Sequence, residues 1–180
     1  YLLSISLLSG LLSCQTGPTQ TFDVLITNGT VYNGTGGEGI QTDVWINEDT
    51  IARIGKVKRA TATTIIDAKG MAVSPGFINM LSWATESLIE DGKSQSVIKE
   101  GVTLEITGEG NSMGPVTEER KLAWMKAQGD NKYDIKWNTL GEYLEYLENR
   151  GISTNVASLI GTAPPRVNVR GFEDRAPTAH

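Results

Sequence analysis

The stretch "SPGFINMLSWATESL", Ser74 to Leu88, decides how the chain is read. A Ser-Pro pair is followed by a short apolar run, Gly76-Phe77-Ile78, which gives way to a polar segment at Asn79. So short a run reads as a buried strand arriving at a loop. The rhythm of the sequence changes on either side of it.

Upstream, residues 21–75 read as β. Phe22–Thr27 is strand-like, and Asn28-Gly29 is a strong hairpin signal with Thr30-Val31-Tyr32 returning. A glycine-rich loop, "NGTGGEG", follows. Val44–Ile46 and Ile51–Ile54 flank a turn at Asn47–Asp49, Thr64–Ile66 ends at "DAKG", and Met71–Val73 is a further short strand. Asn28 and Asp67 read as turn residues. Short strands at this spacing predict a small β-sandwich or sheet. Gly34, Gly36 and Gly39 match G-x-G-x-x-G, but a dinucleotide fingerprint needs a helix next, and Ile40 onward reads as strand.

Downstream, strands alternate with helices. Ser94 is placed to cap a short helix carrying Val97 and Ile98, closed by Gly101. Val102–Thr107 is a strand leading to "GEGNSMGP". Thr117 opens a helix with Glu118 and Glu119 in its first turn, where the dipole favours acids, and Leu122, Trp124 and Met125 supply its apolar side. Thr139 with Glu142 forms a capping box. Leu140, Tyr143, Leu144 and Leu147 then fall on one helical face, and Gly151 stops that helix. Ser153–Ile160 reads as a third buried strand. This alternation predicts an α/β unit with parallel pairing and right-handed crossovers.

The chain has 180 residues, a formal net charge of −5, 39% hydrophobic and 21% charged residues. That balance, with no long Lys/Arg block, argues against nucleic acid as a partner. The first 20 residues are of a different kind. Tyr1–Ser13 is apolar but shorter than the roughly 20 residues a spanning helix needs, and suits the core of a signal peptide. Leu11-Leu12-Ser13-Cys14 resembles the lipobox of bacterial lipoproteins. It implies cleavage before Cys14, lipidation of that cysteine and "QTGPTQ" as a tether, hence export and attachment to a membrane or a periplasmic location. A start at Tyr without a basic leader implies more sequence upstream.

The segments "NGTVYNGTGGEGIQTDVWINEDTIARIG" and "IIDAKGMAVSPGFIN" resemble the opening of the amidohydrolase superfamily. "QSVIKEGVTLEITGEGNSMGP" and "NVASLIGTAPPRVNVRGFEDRAPT" narrow the resemblance to its D-aminoacylase branch, the N-acyl-D-amino-acid deacylases. It covers residues 22–178 and rests on the order of the motifs. It implies a small β domain (21–75) and, over 76–180, the first three strand–helix units of a (β/α)8 TIM-type barrel. It also implies hydrolysis of an amide C–N bond in an acylated amino acid by a metal-activated water, with a divalent metal, zinc, as cofactor.

The family pattern at the first barrel strand is "PGFID-x-H-x-H". The matching positions here are Leu81 and Trp83, which cannot coordinate a divalent ion. The single histidine is His180. At the second strand tip the family carries a "GNCG"-like turn. The turn here is "TGEGNSMG", where Glu109 offers a carboxylate as a metal ligand; a solvated loop acid is the alternative. An anion at the helix end after "GEGNSMG" is a further option, although the Lys of a P-loop is lacking. Ser82 and Asn79 are polar groups near the first strand tip, with two readings: a substrate contact, for which Ser82 is the candidate, or hydrogen bonds within the loop. Arg166, after the third strand, is a candidate to hold a substrate carboxylate; a surface Arg beside Pro164-Pro165 is the alternative.

A (β/α)8 barrel takes roughly 250 residues, so the stretch after Pro75 has room for about three of its eight units. The expectation is a piece of a longer protein, lacking the later metal ligands and the catalytic Asp of the family, and inactive by itself. The competing reading is a lipid-anchored, non-catalytic binding protein on a degenerate amidohydrolase scaffold, with Trp83 stacking on a ligand. A dipeptidase- or dihydroorotase-like hydrolase shares the scaffold and differs in substrate.

Overall fold

A computed structural model describes residues 18–176. They divide between Pro75 and Gly76 into two compact units. The Cys14 and His180 positions lie outside the described residues, as does most of the predicted signal and tether.

The first unit is built around one long strand, β1 (Gln20–Val31). It pairs antiparallel with β2 (Ile40–Asn47), which turns through Glu48 at φ 53° into antiparallel β3 (Thr50–Ile54). On its other edge β1 pairs in parallel with β4 (Ala60–Asp67) along its first two thirds, and then with β5 (Ala72–Val73). The result is a single five-stranded sheet of order β3-β2-β1-β4, with β5 continuing the β4 edge. This corrects the predicted sandwich: twelve residues of β1 are long enough to carry two successive partners on one edge, so the short strands join one sheet. Phe22, Val44, Trp45 and Ala68 are buried, with the Phe22 and Trp45 rings 4.9 Å apart and the Trp45 indole donating to the Gly55 carbonyl at 2.9 Å. Ile40 opens a strand, which removes the dinucleotide reading.

Asn28-Gly29 does not make a hairpin. β1 runs straight through it, and the register against β2 passes from Ile26↔Val44 to Gly29↔Thr42, one residue more on β1 than on β2. That is a β-bulge. Asn28 sits at φ 62°, which Asn tolerates better than most residues, and its side-chain amide donates to Asp67 at 3.0 Å. Glycine follows because of crowding: a Cβ on Gly29 would lie 2.6 Å from the Val73 side chain. The same dipeptide that closes hairpins here lets β1 change partner from β4 to β5.

The second unit runs β6 (Phe77–Asn79), α1 (Ser87–Glu90), α2 (Gln95–Lys99), β7 (Val102–Thr107), α3 (Glu118–Ala127), α4 (Leu140–Arg150), β8 (Asn155–Ser158) and α5 (Ala163–Arg170). Its three strands form one sheet of order β6-β7-β8, both pairings parallel, with Ile78 opposite Leu104 and Leu104 opposite Asn155. No barrel closes among the described residues, and Phe77, Ile78, Leu159 and Ile160 remain exposed.

The core of this unit lies among the helices and loops. Leu88, Ile89, Met113, Val116, Ile135, Trp137, Tyr143 and Leu147 form one cluster. Fully burying side chains of this size contributes about 1.5–3 kcal/mol each. The Trp137 indole donates to the Met113 carbonyl at 2.6 Å, so its one polar atom is satisfied. The α4 capping box is present in both directions, and Tyr143 and Leu147 are buried as the helical period predicts.

Two helix expectations change. Ser94 is in the left-handed region at φ 44° and does not cap α2 with its side chain; its hydroxyl is drawn to Glu105 instead. On α3, Leu122 is exposed and Lys121 is buried and paired with Glu118 at 2.8 Å, while Trp124 and Met125 pack on the core. α5 follows β8, and Pro164 and Pro165 occupy its first turn, where a missing N–H costs nothing.

Candidate functional site

The C-terminal ends of parallel strands are where α/β folds place their chemistry, because loops from neighbouring strands converge there. A cleft of about 60 Å³ opens between the loop after β6 and the loop after β7. Its walls include Leu81, Trp83, Glu86, Glu109, Met113 and Trp124. A larger groove of about 420 Å³ lies along α4 at the opposite, N-terminal end of β8.

The β6 loop turns sharply at once. The Leu81 amide donates to the Asn79 side chain at 3.2 Å, and the Ser82 amide donates to the Ile106 carbonyl of β7 at 2.8 Å. Alternation then sends Leu81 and Trp83 outward, 52% and 73% exposed, and buries Ser82 between them at 7%. The Ser82 hydroxyl donates through a very short hydrogen bond to the Glu105 carboxylate and accepts from the Ala84 amide at 3.2 Å. Ser82 thus lines the cleft, but its only proton is committed behind the wall.

Glu105 was not picked out in the sequence, yet it is completely buried. Besides Ser82 it accepts from the hydroxyls of Ser94 at 3.3 Å and Thr154 at 3.2 Å. Its signal was present: a lone acid in the middle of "VTLEIT", a strand flanked on both sides by others, must find donors if it is to be buried.

Two tyrosines of the core brace the far end of the same loop. The Tyr143 hydroxyl donates to the Thr85 carbonyl and the Tyr133 hydroxyl to the Glu86 carboxylate, both at 2.9 Å. Burial, reinforced by Glu86, pushes both hydroxyls well above their ordinary pKa; the Glu105 charge adds to the shift at Tyr143.

Glu109 occupies the "GEG" turn after β7, exposed at the cleft. The flanking glycines hold it there. Gly108 has φ 88°, and a Cβ on it would come 2.1 Å from the Leu159 carbonyl, so this turn approaches the β8 loop more closely than any other residue type allows. Ser112 ties the two loops again, accepting from the Gly161 amide at 3.1 Å.

The structure therefore brings Ser82 and Glu109 to one cleft and leaves Arg166 out of it. Arg166 lies on α5 and donates to the Gly171 and Glu173 carbonyls at 3.3 and 3.1 Å, fastening the end of its own helix. Among the described residues there is no group of three His, Cys, Asp or Glu side chains able to enclose a metal ion. Glu109 can supply one carboxylate ligand; Leu81 and Trp83 supply none. The described residues do not by themselves make a metal site.

No family model matches the chain. Individual proteins do. It is 29% identical over 161 residues to a D-aminoacylase of Alcaligenes xylosoxydans xylosoxydans, covering 89% of this chain and 33% of that protein. It is 27% identical over 162 residues to an N-acyl-D-aspartate deacylase of the same organism, covering 89% of this chain and 32% of the relative. Among solved structures, a D-aminoacylase described as having a binuclear metal centre, activated by one metal and attenuated by the second, superposes with a TM-score of 0.76 at 30% identity, over 88% of this chain and 33% of its own. An N-acyl-D-glutamate deacylase of Bordetella bronchiseptica, solved with zinc and a phosphonate mimic of the tetrahedral intermediate, gives 0.74 at 26%, over 89% and 34%. The chain's homologues and structural neighbours are thus D-aminoacylase-type amidohydrolases, metal-bearing in the solved examples, and the chain spans about a third of their length.

Proposed function

We propose that the whole protein is a metal-dependent hydrolase that cleaves the amide bond of N-acyl-D-amino acids. The observation that carries this reading is the match to D-aminoacylase over most of this chain, 0.76 in TM-score at 30% identity over 88% of the chain. It is supported by the cleft at the tips of β6 and β7, the position from which barrel enzymes of this class work. In this reading the three parallel strands open an eight-stranded barrel, and the metal-binding set is completed by residues beyond those described.

Within this chain, Glu109 would be the one ligand directed to the metal, which supplies Lewis-acid activation of water when bound. Leu81, Trp83, Met113 and Trp124 form an apolar wall and exclude water from the reacting amide. Arg166 sits outside the cleft, so a substrate carboxylate is held by a group from elsewhere, or by Arg166 only after α5 is rearranged.

The test is direct. The whole protein, loaded with zinc, is incubated with N-acetyl-D-amino acids and their L-isomers, and released amine is measured. The expected result is zinc-dependent release from D-substrates, lost on chelation. Zinc-loaded protein that releases nothing from any acylated amino acid, yet binds one, would return the reading to a non-catalytic binding protein. Residues 1–180 alone are expected to show no turnover.

Export is proposed on separate grounds. It is supported by the apolar Tyr1–Ser13 run and the Leu-Leu-Ser-Cys sequence ending at Cys14.

A further inference from the structure

The segment Leu81–Glu86 forms one wall of the cleft, and it is held from behind. Its anchors are the Ser82 amide to Ile106, the Ser82 hydroxyl to Glu105, the Tyr143 hydroxyl to Thr85 and the Tyr133 hydroxyl to Glu86. Leu81 and Trp83 carry no atom able to coordinate a metal ion, so the order of this wall comes from the chain's own hydrogen bonds.

Glu105 is the hub of that set. Its two oxygens gather three hydroxyls from three separate segments: Ser82 after β6, Ser94 before α2 and Thr154 before β8. None of the ion pairs among the described residues includes it. A buried carboxylate without a cation depends on such donors for its stability. The dependence also runs the other way. A serine hydroxyl has one proton; once it is directed at Glu105 in a hydrogen bond, the Ser82 lone pairs are oriented, and one of them receives the Ala84 amide. The Ser82 side chain, three residues past β6, is thereby fixed, and the backbone around Trp83 with it.

We propose that Glu105 is a positioning residue: by accepting the hydrogen bond of the Ser82 hydroxyl it sets the wall Leu81–Glu86 in the shape that receives the acylated substrate. The identity of that substrate rests on the deacylase reading above; the positioning role does not.

Deuterium exchange of the whole protein reads the claim without turnover. Wild type is compared with Glu105→Gln, which keeps size but replaces one acceptor oxygen by an NH2 group, and with Ser82→Ala. Both variants are expected to speed exchange of the 81–86 amides about tenfold, the equivalent of one hydrogen bond, while α4 is unchanged. For the active protein, KM for the acylated amino acid rises more than kcat falls. Unchanged exchange over 81–86 in Ser82→Ala, or an equal rise across α4, overturns the proposal. If Glu105→Gln does not fold, Ser82→Ala decides alone. A protein with no deacylase activity still gives the exchange result, so the two readings fail separately.

Discussion

Ser82 and Glu105 lie 23 residues apart and join side chain to side chain, the serine donating its hydroxyl proton to a carboxylate with no solvent exposure. The bond links the loop after β6 to the middle of β7. It places a charged group behind a cleft rather than in it, and it explains why a polar residue stands between two outward-facing apolar ones.

Thr154→Val tests how much the Glu105 cage contributes to stability. Valine keeps the shape and removes one of the three donors. Leaving a buried acceptor short costs about 1–3 kcal/mol, so the urea midpoint should fall, and a midpoint equal to wild type would show that Thr154 is not needed.

Tyr133 and Tyr143 make the protein sensitive to alkali. Their folded pKa values are raised, chiefly by burial, above the ordinary 10.0. A raised value means the stabilisation is complete below pH 10 and is lost as pH rises beyond it toward the folded values. Phenolate absorbance should show two tyrosines that ionise only as the protein unfolds. Tyr143→Phe should remove one of them and shift the alkaline unfolding midpoint.

Glu142 acts at the other end of the pH scale. Its carboxylate accepts from the Asn138 and Thr139 amides at 2.5 and 3.0 Å, and those bonds hold its pKa below the ordinary 4.5. A lowered value means the stabilisation is present above the unfolded pKa and is lost as pH falls through the folded one. Between neutral pH and acid, Glu142→Gln should lose less stability than wild type when unfolding is followed by circular dichroism. Parallel pH curves would remove the cap from the account.

Glu109→Gln should reduce the metal content of the whole protein. Outer-shell changes at metal sites typically cost 10–100-fold in affinity, so loss of a ligand should cost roughly 100-fold or more, read by equilibrium dialysis with zinc. Wild-type affinity in this variant would make Glu109 a solvated loop acid.

Cys14→Ser should abolish partitioning of the whole protein into the membrane fraction and incorporation of labelled fatty acid. Equal partitioning of variant and wild type would remove the lipid anchor. Among the described residues no helix is long and apolar enough to cross a membrane.

Local pattern carried much of the fold. The α4 capping box, its buried Tyr143 and Leu147, and the strand at Val102–Thr107 are visible because neighbours in sequence are neighbours in space along a helix or strand. The place of Glu109 in the turn after that strand was legible in the same way, as an acid between glycines. The Asn28-Gly29 bulge was not, since the same left-handed backbone serves a turn or a bulge, and only β4 and β5 choose between them. Arg166 was placed near substrate by its position after β8, whereas the prolines before it start a helix that takes its guanidinium to its own C-terminal end.

The sequence by itself determined the alternation of elements, the absence of imidazole at Leu81 and Trp83, and the kinship with D-aminoacylases, all of which reside in residue identity and order. Only the tertiary structure decided that Ser82, at the cleft, commits its hydroxyl to Glu105 behind the wall, and that Glu105 is buried. Hydrogen bonds between Ser82, Ser94, Thr154 and Glu105 join residues far apart in the chain, and no local periodicity encodes which donors a buried carboxylate will find.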